Sequence, residues 1–358
     1  MCLAEDIHVA VIGAGSLGSE LCAQLVEHRV RRVTVIDPDC LQNRNIPLSR
    51  LYLDRASHAR DGMAKVDAIY QYANSLGLGR WQVHAMEVAD VGVTALDNID
   101  LILSCTDNTL ARVDTQRLAY LLGVPLVDGG LYGVAGTGGR ATLFAPVPQA
   151  ACYLCGISEH RRAELLAFAL SASLGCALPP DEEVSLGEAA ACAGNVAQAM
   201  LRLAEQASVT DHSFALRLTD DSEEQIMLKQ SATCLWHRPI DRLHLLTLPH
   251  DEPLRNYLRQ HPDTRLQLEW PICLRGRCGQ CGFEQPVLRR LAWTRRSFPC
   301  GQCASVGTVQ PLRVVESIGI HDAEADWTPR QLGLPAKHLF QCRKPLEFSA
   351  AHFSQEME

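Results

Sequence analysis

An apolar run at residues 8–12 leads into Gly13-Ala14-Gly15-Ser16-Leu17-Gly18, and an amphipathic run follows at 17–27. This order of strand, glycine turn and helix constrains the fold more than any other feature of the chain. The glycines permit a tight turn and let phosphates approach backbone N–H groups at a helix N-terminus. Asp37 ends a second apolar run about 20 residues further on, where a carboxylate accepts hydrogen bonds from ribose hydroxyls. Gly13, Gly15, Gly18 and Asp37 therefore point to a nucleotide site. They do not choose between NAD and ATP, and a domain that has lost its ligand is the plain structural alternative.

The first 145 residues alternate short apolar runs with helical patterns, the mark of parallel βαβ units. Strands are expected at residues 8–12, 32–36, 82–86, 101–104, 125–127 and 140–144, with helices near 17–27, 65–75 and 109–121. The strands are almost wholly apolar, which suits a sheet covered on both faces. The fold class is α/β: a Rossmann-like, mostly parallel sheet with helices on both faces. Residues 159–208 are rich in alanine and leucine and read as helical, interrupted at Leu178-Pro179-Pro180-Asp181, and 214–228 read as a polar hairpin. After Pro239 the sequence turns arginine-rich and proline-broken. The expected domains are 1–238, a smaller zinc-bearing domain at 239–350, and a tail at 351–358.

Cysteine arithmetic supplies the zinc. Fifteen cysteines include the C-x-x-C pairs Cys152/Cys155, Cys278/Cys281 and Cys300/Cys303, and Cys234 with His237 forms a C-x-x-H. Four half-sites make two tetrahedral zinc sites. Eighteen residues separate Cys281 from Cys300, a zinc-ribbon spacing, and glycines beside each pair suit the knuckle turns. Arg275, Arg277, Arg289, Arg290, Arg295 and Arg296 surround the ribbon, either as solvated charge or as a surface for an acidic partner. Cys22, Cys40, Cys105 and Cys192 read as packing residues. No run nears the roughly 18 apolar residues of a membrane span, and the N-terminus offers no secretory pattern, so a cytoplasmic protein is expected. The net charge of −8 argues against nucleic acid as the main partner.

A longer series follows the second strand: Asp37-Pro38-Asp39, Asn45, Arg50, Gly62-Met63-Ala64-Lys65, and Cys105-Thr106-Asp107-Asn108. Val124-Pro125-Leu126-Val127 comes next, then Cys152-Tyr153-Leu154-Cys155 and the run from Cys192 to Ala199. Over about residues 7–238 this series resembles the ubiquitin-activating (ThiF/MoeB-like) adenylyltransferase family. The resemblance implies adenylation, by ATP and Mg²⁺, of the C-terminal glycine of a ubiquitin-like or sulfur-carrier protein, in a homodimer.

By position, Lys65 would hold phosphates, Asp107 would bind Mg²⁺, and Asn45 would orient phosphate or ribose oxygens. Each has a plainer alternative: a solvated lysine, a helix cap and a turn asparagine. The family's loop arginine is replaced by Leu48, with Arg50 or Arg44 as substitutes on the same loop. The family also tends to lend an arginine from an N-terminal arm, and no such arm is expected here. Its structural zinc matches Cys152, Cys155, Cys234 and His237, a Cys₃His set, and its thioester-forming cysteine matches Cys176. The segment from Trp327 to Pro335, with Leu339 and Phe340, reads as a small terminal strand element. Two other classes remain: an inactive scaffold that binds the carrier, and an NAD-dependent oxidoreductase, which leaves Lys65, Asp107 and the cysteine order unexplained.

Overall fold

The computed structural model describes residues 6–91, 96, 98–131, 138–170, 186–219, 222–232, 234, 245–335 and 339–343. They fall into two compact units, one from 6–165 and 186–234, the other from 166–170 and 245–343.

The first unit runs β1 (His8–Ile12), α1 (Ser16–Glu27), β2 (Arg32–Ile36), α2 (Arg50–Leu53), α3 (Lys65–Ser75), β3 (Gln82–His84), α4 (Val88–Val91) and β4 (Leu101–Ser104). It continues with α5 (Thr109–Leu122), β5 (Leu126–Leu131), β6 (Gly139–Phe144), α6 (Glu159–Leu170, whose residues 166–170 group with the second unit), α7 (Leu186–Gln206), β7 (Phe214–Leu218) and β8 (Glu223–Met227). The sheet order is β3-β2-β1-β4-β5-β6-β7-β8. Strands β3 through β5 pair in parallel, and β6, β7 and β8 add an antiparallel wing. The Rossmann-like class holds. Boundaries move: the third strand stops at His84 rather than residue 86, and the fifth extends to Leu131 because it pairs along its whole length with β6.

Every residue of β1 and β4 is buried, as parallel strands between two layers require. On one face, Val9, Val11, Val33, Val35, Leu101 and Leu103 share a core with Leu21 and Leu25 of α1, Val66 and Ile69 of α3, and Val196 and Met200 of α7. Gly18 lets α1 lie against the turn: a Cβ there would stand 1.9 Å from the Gly13 carbonyl oxygen. Gly18→Ala is expected to destabilise the first unit by about 1–3 kcal/mol or more, since backbone must shift. An unchanged denaturant midpoint by tryptophan fluorescence would refute this.

His8 closes the opposite end of the sheet. Its Nε2 lies 3.0 Å from Thr34 Oγ1 and its Nδ1 3.2 Å from the Asn98 carbonyl. Burial, aided by Arg32, holds its pKa below the ordinary 6.5. The unfolded chain thus takes up a proton near pH 6.5 that the folded chain refuses. Stability should be full above that value and fall as pH drops from 6.5 toward the folded pKa. His8→Gln should flatten this slope in unfolding curves across pH 5–7.5; an unaltered slope would reject the assignment.

The second unit contains β9 (Leu245–Thr247), α8 (Leu254–Gln260), β10 (Arg265–Cys278), β11 (Glu284–Arg290), α9 (Leu291–Ser297), β12 (Val309–Ile318) and β13 (Leu339–Arg343). The order is β11-β10-β13-β9, with β12 also on β10. Leu254, Leu258, Leu266, Ile272, Ile318 and Phe340 build one core, and Val287, Leu291 and Val309 pack with Cys273, Cys278 and Cys300 in another.

Two expectations are corrected here. The segment from Trp327 to Pro335 is not a strand: Leu332 N, Gly333 N and Leu334 N donate to Thr328 O, Arg330 O and Pro329 O, so local turns consume the groups a sheet would need. The terminal strand starts only at Leu339. Arg290 is not a surface charge; it is buried with its guanidinium 5.0 Å from the Trp270 ring centroid. No helix among the described residues is long and apolar enough to cross a membrane.

Candidate nucleotide site and cysteine clusters

The C-terminal ends of β1, β2 and β4 meet at one edge of the first unit, where the strand order reverses between β1 and β4. Open α/β sheets bind ligands in the crevice at such a reversal. The glycine turn crosses this edge. Gly13 takes φ +97°, and a Cβ there would fall 2.7 Å from the Cys105 carbonyl oxygen, so glycine is required on both counts. Gly15 is the N-cap of α1, no side-chain oxygen caps that turn, and nothing stands within 4 Å of where its Cβ would be. The arrangement leaves backbone amides with room for an anion.

Asp37 is buried beside the turn and shapes it. One carboxylate oxygen accepts from Ala14 N at 2.6 Å, the other from Asp39 N at 2.8 Å. Burial pushes its carboxyl up, partly opposed by Lys65 and the two amides. Each oxygen keeps a lone pair that a ribose hydroxyl can use. Tyr52, which the sequence reading overlooked, donates from its buried hydroxyl to Ala14 O at 2.6 Å and pins the turn from the other side.

Lys65 is the first residue of α3, and its Nζ lies 2.7 Å from Asp39 Oδ2. Burial alone would lower the ammonium's pKa, but Asp37, Asp39 and Asp107 together outweigh it and hold the value above normal. Lys65 is not a freely solvated lysine: its side chain is 14% exposed. Asp107, three residues past β4, is exposed, while Asn108 caps α5 by accepting from Ala111 N at 2.8 Å. The cap is thus the asparagine, and Asp107 projects a carboxylate at the edge. Thr106 Oγ1 and His84 Nε2, both near strand ends, are buried without a hydrogen-bond partner among the described residues. A polar ligand would satisfy such atoms.

Asn45 serves its own loop, accepting from Gln42 N at 3.2 Å. Arg50 reaches back to α1: its Nε lies 2.8 Å from Glu20 Oε2, its Nη2 2.9 Å from Glu20 Oε1, and Nη1 bonds Glu27. These two glutamates raise its pKa further and occupy the guanidinium that the loop was expected to offer. Cys176 lies outside the described residues. Cys40 is exposed rather than packed, whereas Cys22, Cys105 and Cys192 are buried as expected.

The cysteines gather in two places. Cys152 Sγ lies 3.8 Å from Cys155 Sγ and 3.6 Å from Cys234 Sγ. In the second unit Cys278–Cys303 and Cys281–Cys300 are 3.7 and 3.6 Å apart, and all four sulfurs lie within 4.8 Å of one another. A tetrahedral zinc with Zn–S near 2.3 Å sets its sulfurs about 3.8 Å apart. Both clusters can therefore hold zinc. His237, the expected fourth ligand of the first, lies outside the described residues. The hydroxyls of Ser305 and Thr308, then the Cys281 amide, bring the Cys278 thiol down to about 5, whereas, against the Phe283 amide, burial and the neighbouring sulfurs push the Cys281 thiol up to about 12. Of the ribbon arginines, Arg275 and Arg277 both bond Glu284, at 3.3 and 3.0 Å.

Sheet order and glycine turn define a Rossmann-like α/β domain. The ThiF family model matches residues 3–270, and the chain belongs to the ThiF family. The adenylyltransferase and sulfurtransferase uba4 of Aspergillus niger is 33% identical over 122 residues, 34% of this chain and 24% of that protein. The molybdopterin-synthase adenylyltransferase of Salmonella typhimurium is 26% identical over 157 residues, 42% and 59% of the two chains. The SUMO-activating enzyme subunit 2 of Dictyostelium discoideum is 28% identical over 136 residues, 37% and 20%. The chain spans a quarter or less of uba4 and of the SUMO-activating subunit, and about three fifths of the Salmonella protein. Among solved structures, E. coli MccB with ATP aligns at a TM-score of 0.43 and 16% identity, covering 64% of this chain and 66% of that one.

Proposed function

We propose that the chain adenylates the C-terminal glycine carboxylate of a ubiquitin-like or sulfur-carrier protein with ATP. The observation that carries this reading is the Lys65 ammonium held among Asp37, Asp39 and Asp107 beside an uncapped glycine turn. ThiF membership supports it, as do relatives named as adenylyltransferases.

In the reaction a carboxylate oxygen attacks the α-phosphorus, the bond to the β-phosphate oxygen breaks, and acyl-AMP and pyrophosphate result. Both reactants are anions, so rate depends on cations placed where charge moves. Lys65 binds phosphate and leaves Asp39 to do so. Asp37 orients the ribose, and Asn45, on the loop after β2, orients phosphate or ribose oxygens. Asp107 would hold Mg²⁺, a hard cation suited to carboxylate and phosphate oxygens. A zinc at Cys152, Cys155, Cys234 and His237, and another at the four ribbon cysteines, brace the fold. The many free thiols fit a reducing cytoplasm, and the active form is a homodimer. In a later step the Cys176 thiol loses its proton and attacks the acyl-AMP carbonyl, the acyl–phosphate bond breaks, AMP leaves, and a thioester results.

One observation favours a second reading, a carrier-binding scaffold without chemistry: Arg50 is engaged by Glu20 and Glu27, and Leu48 stands where the family's arginine would. ATP–pyrophosphate exchange with purified glycine-ended carriers decides between them. Exchange supports adenylation; carrier binding with no exchange supports the scaffold; NAD reduction would sink both.

A further inference from the structure

A second charged cluster lies on the same sheet edge, and the roles assigned above do not use it. Asp128, on β5, is almost wholly buried. Its Oδ1 accepts from Ser104 Oγ at 2.8 Å and pairs with Arg112 Nε at 3.2 Å, and its Oδ2 lies 3.4 Å from Arg140 Nη2. Arg112 Nη2 also donates to Gly129 O at 3.3 Å. One carboxylate therefore faces two guanidiniums at a partly buried place.

Arg140 is the member with capacity left. Its side chain is 36% exposed, and Asp128 at 3.4 Å is its one partner among the described residues, against five N–H donors. Gly130 stands opposite it in the β5–β6 register, and a Cβ there would come within 3.2 Å of Arg140 Nε and 3.4 Å of Arg112 Nη2. Glycine at that position keeps the space above the guanidiniums open.

Position supplies the rest. Because β6 runs antiparallel to β5, Arg140 near its start lies at the same edge as the ends of β1, β2 and β4. Along this edge come Asp37 after β2, the glycine turn after β1, Asp107 after β4, and then the Asp128–Arg140 cluster. Arg140 is two strands from β4, about 10 Å along the edge. With ribose, phosphates and Mg²⁺ assigned to the first three, the α-phosphate must be approached from the fourth.

We infer that Arg140, steadied by Asp128, is the subsite that receives the terminal carboxylate of an extended peptide on its way to the α-phosphate. A guanidinium fork pairs bidentately with a carboxylate, and the site supplies cationic charge at a place where Leu48 and the engaged Arg50 do not. The inference rests on the adenylation reading for its direction along the edge, and its test separates the two.

The test uses the full chain and a fluorescent, extended synthetic peptide ending in Gly-Gly, as the free acid and as the C-terminal amide. Anisotropy should show the acid bound about 10- to 100-fold tighter than the amide by the wild type. Arg140→Gln should abolish that preference while leaving ATP affinity unchanged, and Arg140→Lys should restore part of it. A wild type indifferent to acid and amide, or an Arg140→Gln variant that keeps the preference, overturns the inference. Acid preference lost in Arg140→Gln, with no ATP–pyrophosphate exchange by the wild type, would leave the subsite standing and remove the adenylation reading.

Discussion

Lys65→Ala is expected to lower ATP–pyrophosphate exchange by about 10²–10³-fold, the usual cost of losing one preorganised charge at a developing oxyanion. The environment explains why no neighbour can stand in. Lys65 is the cation at the centre of Asp37, Asp39 and Asp107, and without it three carboxylates would face the triphosphate together. ATP affinity should fall as well, because the lysine serves ground state and transition state alike. The raised pKa keeps the ammonium charged across the physiological range, so the lysine itself should put no inflection into the pH–rate profile near neutrality. Its removal should be benign for folding, since the helix it opens is anchored by buried Val66 and Ile69. A variant with native unfolding behaviour and undiminished exchange would end the assignment.

The second large effect concerns the metal. Cys278→Ser should reduce the zinc content by one ion per chain and unfold the ribbon end of the second unit. Apparent binding energies of structural zinc reach about 10–16 kcal/mol in small peptides. Here the apolar support among the described residues is slight: beside Cys273, Cys278 and Cys300, that core buries Val287, Leu291 and Val309. Serine at 278 would replace a buried thiolate ligand with a hydroxyl that binds zinc poorly. Elemental analysis of the purified variant, with hydrogen exchange along β10 and β11, reads both consequences. Equal metal content in variant and wild type would show that the cluster is no zinc site.

Much of the first unit was legible in the sequence. The central strands β1, β2 and β4 are nearly continuous apolar runs, and the turn between β1 and α1 is written in glycines whose need is local: a positive φ at Gly13 and a close approach at Gly18. Lys65 at the head of α3 and the C-x-x-C pairs were also visible, because knuckles and helix starts depend on residues a few positions apart. The antiparallel wing read as a mere hairpin at 214–228, since nothing local says that β7 will find β6.

What sequence alone decided, then, is the parallel sheet, the phosphate-type turn and the grouping of cysteines into pairs. Each is set by backbone sterics or by ligand spacing within one short segment. The tertiary structure alone decided who neutralises whom. Arg50 belongs to Glu20, 30 residues away, Tyr52 to the Ala14 carbonyl, 38 residues away, and Asp128 to Ser104, Arg112 and Arg140 on three separate elements. A charged side chain pairs with whatever the packed core brings within a few ångströms, and Coulomb energy falls with distance in space regardless of separation along the chain.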